Sequence, residues 1–360
     1  MKIGLKILTG IVGLAVVGLI GIKVFQKPIA MALLDRQLEQ NMGRDVIAEF
    51  PEGLHVGLCG SAGPFPNRGR RGPCVFVIAG RDFYIVDSGA GSPGTLGSMG
   101  LPRGAIKGIF LSHFHSDHID GLGELMMNRW VQARSKEPVP VYGPAGIERV
   151  INGLREAYAL DALYRTAHHG EGIAPPSGNG GRAVPYDLGN DSMASQVILE
   201  ANGLTVTAFN VDHAPISPAV GYRFDYKGRS VVISGDTSPS PNVAAMAKGA
   251  DVLVHEALQP VIIERFEARA RERGAKGVAK IMHDILDYHT SPEQAAYIAQ
   301  EAGADYLLLY HIVPPLPRFF DKAFLGDAPN RYDGPIKIGT DGFMLSLPEG
   351  SEEIEERDLL

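Results

Sequence analysis

Thiol chemistry is nearly missing from this chain: 360 residues carry only two cysteines, Cys59 and Cys74. Any metal chemistry must then rest on imidazole and carboxylate rather than thiolate, which suits a hydrolytic zinc, manganese or iron centre better than a structural zinc finger. Basic charge is also short, with 34 Lys and Arg against 41 Asp and Glu, so the whole chain has no basic nucleic-acid footprint, although a local basic groove stays open. Long apolar runs are confined to the amino terminus. With 45% hydrophobic and 21% charged residues, this excludes both a disordered chain and a polytopic membrane protein. What the sequence does have is glycine, proline and histidine, at 44, 25 and 11 residues. The first two imply many tight loops around strands.

Ile7 to Ile22 is an uncharged apolar run of 16 residues, flanked by Lys2, Lys6, Lys23 and Lys27. It would span roughly 24 Å as a helix, and Val24 and Phe25 extend it while the lysines snorkel. A signal anchor, a cleaved signal peptide and a buried helix are the competing readings. Lys23 and Lys27 stand between the run and the cleavage site offered by Ala30-Met31-Ala32, which favours an uncleaved anchor. Cys59 and Cys74 bracket a Gly/Pro/Arg-rich loop. In an oxidising compartment they could close it for about 3 kcal/mol, the alternative being two unpaired thiols.

The remaining pattern divides into an anchor or signal segment (1–27), a linker helix (28–50, amphipathic over 28–45), a domain (51–348) and an acidic tail (349–360) read as a solvated terminus. Within the domain, short apolar runs punctuated by glycine predict strands. They lie over Leu54–Cys59, Cys74–Ala79, Phe83–Val86, Ile106–Leu111, Val139–Tyr142, Val197–Leu199, Leu204–Val211, Val220–Tyr226, Ser230–Ser234, Val252–Val254, Tyr306–Tyr310 and Phe343–Leu347. Helices are expected over Gly121–Arg134, Ala145–Ala159, Asn242–Lys248, Pro260–Arg273 and Pro292–Ala302. The last has Ser291 as cap, Pro292 at the first position and Gln294 to complete a capping box. Many strands followed by mixed strands and helices imply an α/β fold of two packed sheets with helices outside. The Gly/Pro-rich segment Ala167–Pro185 reads as a long loop that is either disordered or covers a site.

Strand Ile106–Leu111 runs directly into Ser112-His113-Phe114-His115-Ser116-Asp117-His118-Ile119-Asp120-Gly121. Three imidazoles and a carboxylate within six residues at a strand end form a loop that can wrap metal. Single groups follow later strands: His213, Asp236 and His311. Each alone is weak, since a lone strand-end histidine is more often a capped or solvent-facing residue, but together they complete a ligand set for two ions.

The H-x-H-x-D-H run followed by glycine resembles the signature of the metallo-β-lactamase fold hydrolases. Further similarity covers most of Leu54 to Leu347. Val86-Asp87-Ser88-Gly89 resembles an early element that supports the metal loop. His213-Ala214-Pro215 leading into Val220-Gly221-Tyr222-Arg223-Phe224 is similar to the third-histidine segment of the ribonuclease Z-like branch. Gly235-Asp236-Thr237, His255-Glu256-Ala257 and His289-Thr290-Ser291-Pro292 are similar to its later elements in order. The resemblance implies a four-layer αββα sandwich and two divalent ions, zinc first with manganese or iron open. By analogy His113, His115 and His213 hold one ion, Asp117, His118 and His311 hold the other, and Asp236 bridges them. A hydroxide shared by the ions would attack an ester in line, with Asp117 orienting it. His289 is the candidate proton donor to the departing oxygen, against the alternative of a helix-cap histidine. His168 and His169 could reach over the site or be a solvated loop feature. His255 and Glu256 are expected to support the shell around Asp236.

Members of the family that process tRNA carry a Gly/Pro-rich arm that grips the RNA, whereas Tyr222 to Ser230 is a short hairpin here. The expected reaction is therefore hydrolysis of a small ester, a phosphodiester first. An arylsulfatase or lactonase and a ribonuclease Z-type tRNA 3′ endonuclease are the alternatives within the fold. A non-catalytic or redox member of the fold is the alternative of another class. The partners expected are a small-molecule ester and a membrane, through the N-terminal segment, with the catalytic domain periplasmic or extracellular. No dedicated nucleic-acid surface is evident, and a homodimer is left open.

Overall fold

The computed structural model describes residues 25–40, 42–317 and 319–360. It divides into two units, Met1–Asp45 and Val46–Leu360. In the first unit residues 25–40 are helical, close to the amphipathic helix expected over 28–45, and Ile29, Leu33, Leu34 and Leu38 are exposed. The anchor expected at Ile7–Ile22 lies outside the described residues. Among the described residues no helix is long and apolar enough to cross a membrane. The linker ends earlier than expected. Val46, Ile47 and Phe50 are already buried in the core of the second unit.

The second unit contains two mixed sheets. Strands β1 (Gly53–Gly60), β2 (Cys74–Ala79), β3 (Asp82–Val86), β4 (Ile106–Phe110), β5 (Val139–Gly143) and β6 (Gly181–Pro185) belong to the first. Then β7 (Ser195–Ala201), β8 (Leu204–Asn210), β9 (Val220–Tyr226), β10 (Arg229–Ile233), β11 (Val252–Leu258), β12 (Tyr306–Val313) and β13 (Ile336–Ile338) form the second. The chain returns to the first sheet with β14 (Phe343–Pro348) and β15 (Glu355–Asp358). The orders are β15-β14-β1-β2-β3-β4-β5-β6 and β13-β12-β11-β10-β9-β8-β7.

Three apolar clusters define the layers. Leu54, Val56, Val77, Phe110, Val206, Phe224, Val231, Val254 and Leu345 meet between the sheets. Phe76, Ile85, Ile109 and Val141 on the outer face of the first sheet pack against Leu96, Leu122, Leu125 and Ile151 from helices. Val232, Leu253, Leu307 and Leu309 on the outer face of the second sheet pack against Val243, Ala295, Ala299 and Phe324. The order is therefore helix, sheet, sheet, helix. Strands covered on both faces read as continuous apolar runs rather than alternating ones, which is why β1, β2 and β12 are buried along their whole length.

Local signals placed the elements well where caps were strong. Helix Pro292–Ala302 has the capping box from Ser291 and Gln294 and ends at Gly303 in the left-handed region. Weaker signals were misread. The helix expected over Ala145–Ala159 is two, Ile147–Ala157 and Ala159–His169, broken at Tyr158. The long loop expected over Ala167–Pro185 instead begins inside that second helix and ends as β6, pinned where Trp130 Nε1 donates to Pro175 O at 2.8 Å. The acidic tail is not a free terminus, because Glu355–Asp358 pairs with β14, and Tyr306 Oη and Lys337 Nζ both donate to Glu356. Glu355 and Glu356 are paired with Arg357 and Lys337, so the segment can complete a sheet edge despite its composition.

Candidate metal centre

The site sits where strands end. Beyond β4 the chain turns through His113 and His115 into a short helix, Ser116–Ile119, that presents Asp117 and His118. This turn is held against the β3–α connection by main-chain bonds, Ser88 N to His118 O and Gly121 N to Ser88 O, both 2.8 Å. A side chain on Gly121 would lie 2.4 Å from Gly89 O, and one on Gly89 would lie 2.3 Å from Asp117 O. The glycine that follows the histidine motif is thus required by close backbone approach.

His213 follows β8 and Asp236 follows β10, whereas His311 stands inside β12 rather than after it. The β11–β12 pairing passes from Glu256↔Tyr310 to Ala257↔Ile312, so His311 is the extra residue of a bulge, with φ of 47°. A bulge re-aims one side chain at a sheet end, here toward the cluster.

All the residues singled out by the motif and the later strand ends converge. His113, His115, His213 and Asp236 form one group able to hold an ion, and Asp117, His118 and His311 form another. Asp236 Oδ2 is 3.2 Å from both His118 Nε2 and His311 Nε2 and 4.0 Å from His113 Nε2, so one carboxylate faces both groups. His289, expected as a proton donor, joins Asp236 and His311 in a third group able to hold an ion. His168 and His169 line a separate surface recess with Tyr164 and Arg165. His283 is exposed beside Glu267, and His55 is buried between Ser346 Oγ and Pro51 O.

Three of the ligand rings are aimed by a bond to the other nitrogen. His118 Nδ1 lies 2.8 Å from Asp87 Oδ2, His213 Nδ1 lies 2.9 Å from Tyr288 O, and His113 Nδ1 lies 3.1 Å from Ser112 Oγ. Such bonds set the tautomer and leave Nε2 with its lone pair toward the site. Asp87 also accepts from Ser112 N and Ser112 Oγ, locking the loop that carries the motif. Ser112 and Tyr288 were not identified from the sequence. Tyr288 acts through its carbonyl, for which side-chain identity gives no signal.

The donor set fits divalent cations. His118 Nε2, His213 Nε2 and Asp236 Oδ1 are buried without a hydrogen-bond partner, a costly state unless lone pairs converge on a cation. His113 Nε2 and His115 Nδ1 approach to 3.0 Å. Burial, and next the neighbouring His118, hold His113 well below the usual imidazole range, and burial pushes His213 down to about 4. Both are thus neutral, the ligating form. His118 is the exception: burial disfavours its charge, but Asp236, Asp117 and Asp87 outweigh that and raise it well above the usual range. The surroundings demand positive charge, which a proton or a divalent ion can supply. For Asp236 burial opposes ionisation, yet His311 and His118 hold it well below the carboxylate range.

Behind this cluster lies a buried pair. Glu256 Oε1 is 3.0 Å from His289 Nδ1 and accepts from Thr290 N at 2.9 Å. Burial first, and Asp236 second, push Glu256 well up, while burial pushes His289 down. Of His255 and Glu256, both expected around Asp236, Glu256 does stand there, accepting from Thr237 N beside Asp236 at 3.4 Å as well as bonding His289. His255 bonds its own strand, at Glu256 O.

Two facing sheets that present an imidazole and carboxylate cluster at their strand ends are the frame of a metal-dependent hydrolase. Residues 92–312 match the beta-lactamase superfamily domain. Ribonuclease Z of Mycolicibacterium gilvum (strain PYR-GCK) is 33% identical over 299 residues, 82% of this chain and 97% of that protein. The chain belongs to the metallo-β-lactamase fold superfamily, in its ribonuclease Z-like branch. The short form of human tRNase Z superposes with a TM-score of 0.58 at 22% identity, covering 82% of this chain and 99% of that one. Zn(2+)-bound PqqB from Methylobacterium extorquens gives 0.54 at 15%, covering 81% and 100%. At these identities the two structures speak for the fold alone.

Proposed function

We propose that this chain hydrolyses phosphodiesters at a two-zinc centre held by His113, His115 and His213 on one side, Asp117, His118 and His311 on the other, and Asp236 between them. The observation that carries this reading is Asp236 Oδ2, which faces both ligand groups from a fully buried position. When bound, two divalent ions supply Lewis acidity that ionises a water and offsets charge on the ester. The protein's own groups do the rest. Asp117 lines the cavity and accepts a hydrogen bond from the attacking water, which fixes its direction. Glu256, which burial pushes toward its protonated form, donates to His289 Nδ1, so His289 turns an Nε2–H to the cavity and passes that proton to the departing oxygen as Nδ1 takes one from Glu256.

The relatives named ribonuclease Z support an RNA substrate, and so a ribonuclease Z-type tRNA 3′ endonuclease. This places first an activity that the sequence alone had ranked below small-ester hydrolysis. A second reading, a small diester handled outside the cytosol from a membrane anchor, is favoured by two observations. The β9–β10 hairpin turns at Lys227-Gly228 with no arm, and Cys59 and Cys74 are joined in a disulfide. Zinc-loaded protein is to be tested on a precursor tRNA with a 3′ trailer and on bis(p-nitrophenyl) phosphate. Trailer removal supports the endonuclease, and turnover of the diester alone supports the second reading. Neither reaction from protein with full metal content would refute both.

A further inference from the structure

The chain as a whole carries a net charge of −7, so a face that meets a polyanion has to be local. Such a face is present. Between 269 and 280 the sequence holds five cations, Arg269, Arg271, Arg273, Lys276 and Lys280, against Glu272 alone. The stretch folds as a helical hairpin. Helix Pro260–Glu272 turns through Gly274, at φ of 70°, into Lys276–Asp284, a helix that no sequence signal had suggested. Ile263 from the first helix and Met282 from the second pack with Leu258 and Val313, which fixes the hairpin on the ends of β11 and β12. Folding then gathers Arg271, Lys276, Lys280 and His283, all exposed, around one surface recess of about 450 Å³.

This recess lies on the same helix as part of the metal cavity. Phe65, Ile281, Ile285 and Val313 form an apolar wall of the cavity that reaches the cluster. Ile281 and Ile285 face that cavity, whereas Lys276, Lys280 and His283, at i, i+4 and i+7, follow the opposite side of the helix. The cavity holds about 310 Å³, at the small end of the ~300–1,000 Å³ usual for ligand sites, so a polynucleotide must extend beyond it. A helix is about 10–12 Å across and backbone charges recur about every 3.4 Å along a strand, so a strand leaving the cavity over this helix meets the cations within a few nucleotides. Carboxylates on the hairpin do not silence them. Arg269 pairs with Glu272, Arg271 and His283 with Glu267, and Lys280 with Asp284. Exposed pairs of this kind are weak and yield to a phosphate. Over 260–284 six Lys and Arg stand against four Asp and Glu, so the face is net positive with every pair counted.

We infer that the 260–284 hairpin grips the sugar–phosphate backbone of an RNA substrate where it leaves the metal cavity, with Arg271, Arg273, Lys276 and Lys280 on its phosphates. The inference rests on the ribonuclease reading above and names the surface that holds that substrate outside the centre. The short β9–β10 hairpin, counted above against an RNA substrate, is thereby answered by a second element that can hold one.

The test follows binding and cleavage together. Zinc-loaded full chain is titrated into a precursor tRNA labelled at its 5′ end, so that fluorescence anisotropy follows the tRNA body whether or not the 3′ trailer is removed. A gel reads trailer removal in the same samples. In a variant combining Arg271→Ala, Arg273→Ala, Lys276→Ala and Lys280→Ala, all at exposed positions, affinity at ~0.1 M salt should fall about 10-fold or more, with zinc content and circular dichroism unchanged. The slope of log affinity against log salt should flatten by about 3, since each lost phosphate contact removes about 0.7–0.9. The charge-keeping set Arg271→Lys, Arg273→Lys, Lys276→Arg and Lys280→Arg should retain both affinity and slope. Wild-type affinity and slope in the alanine variant overturn the inference, and so does an equal loss in the charge-keeping set. Loss of binding to equimolar phosphatidylglycerol and phosphatidylcholine vesicles, with RNA affinity unchanged, overturns it too and gives the face to lipid. RNA that is held through the four cations but never trimmed, at full zinc content, keeps the grip and strikes the endonuclease reading. Trimming by a wild-type chain whose salt slope the alanine variant shares strikes the grip alone, and a wild-type chain that does not bind the precursor strikes both.

Discussion

Asp87 makes no contact with substrate space, yet its substitution should disable the site. Its carboxylate is 1% exposed and accepts from Ser112 N at 2.8 Å, Ser112 Oγ at 2.7 Å and His118 Nδ1 at 2.8 Å. Its backbone stands at φ of 57°, where Asp and Asn are tolerated and other side chains are strained. Asp87→Ala strands the buried Ser112 amide, at about 1–3 kcal/mol, and adds left-handed strain of roughly 1–2 kcal/mol. A combined loss of about 2–5 kcal/mol is a large part of the ~5–15 kcal/mol by which such domains are stable. Asp87→Asn separates the two effects. It keeps the backbone tolerance and a carbonyl for Ser112 N, but an amide cannot accept from every donor around it, and His118 loses its anionic partner. Metal affinity should therefore fall about 10–100-fold with only a modest loss of stability. Chelator competition measures the first and urea unfolding of the metal-free protein the second. Wild-type zinc affinity in Asp87→Asn, or wild-type stability in Asp87→Ala, would refute this reasoning.

Replacing His113 and His115 together with Ala should remove metal from one position and nearly all hydrolysis; full turnover in a metal-free double mutant would contradict the site. His289→Ala should slow alkyl esters by about 10²–10⁴-fold but nitrophenyl esters far less, because only the former need a proton on the departing oxygen. An equal loss on both would make His289 a positioning residue, and loss of zinc would make it a ligand. His255, fully buried, is pushed by burial from 6.5 down to about 4, and His213 likewise. The folded state refuses a proton that the unfolded state accepts. Their contribution is therefore complete above about pH 6.5 and is lost as pH falls toward 4, so the metal-free protein's Tm should drop across that window, and a flat profile would argue against it. Cys59→Ala with Cys74→Ala opens a 15-residue loop that carries Phe65; unfolding free energy should fall by about 3 kcal/mol, and an unchanged value would exclude a stabilising role.

Much of the centre was legible in the chain because its densest part is local. Three imidazoles and Asp117 within six residues at the end of an apolar run need no tertiary information to suggest metal, and the Ser291–Gln294 box marked its helix by the same kind of short-range bonding. Glycine after the motif was visible too, although its reason, the approach of Gly121 to Gly89 O, was not. Tertiary structure decided what depends on residues far apart. The ring orientations come from Asp87 on His118 and from the carbonyl of Tyr288 on His213, separated by 31 and 75 positions. The bulge that turns His311 inward exists only in the pairing of β11 with β12, so the sequence suggested a strand end where there is a strand interior. The acidic stretch Glu355–Asp358 looked solvated because composition reports charge, whereas partners such as Tyr306 and Lys337 report where that charge is met. The apolar wall is the extreme case. Phe65, Ile281, Ile285 and Val313 share no pattern along the chain, and only folding makes them one surface beside the histidines. Ligand chemistry is written in residue type and short spacing, while selectivity is written in shape, which a one-dimensional pattern does not carry.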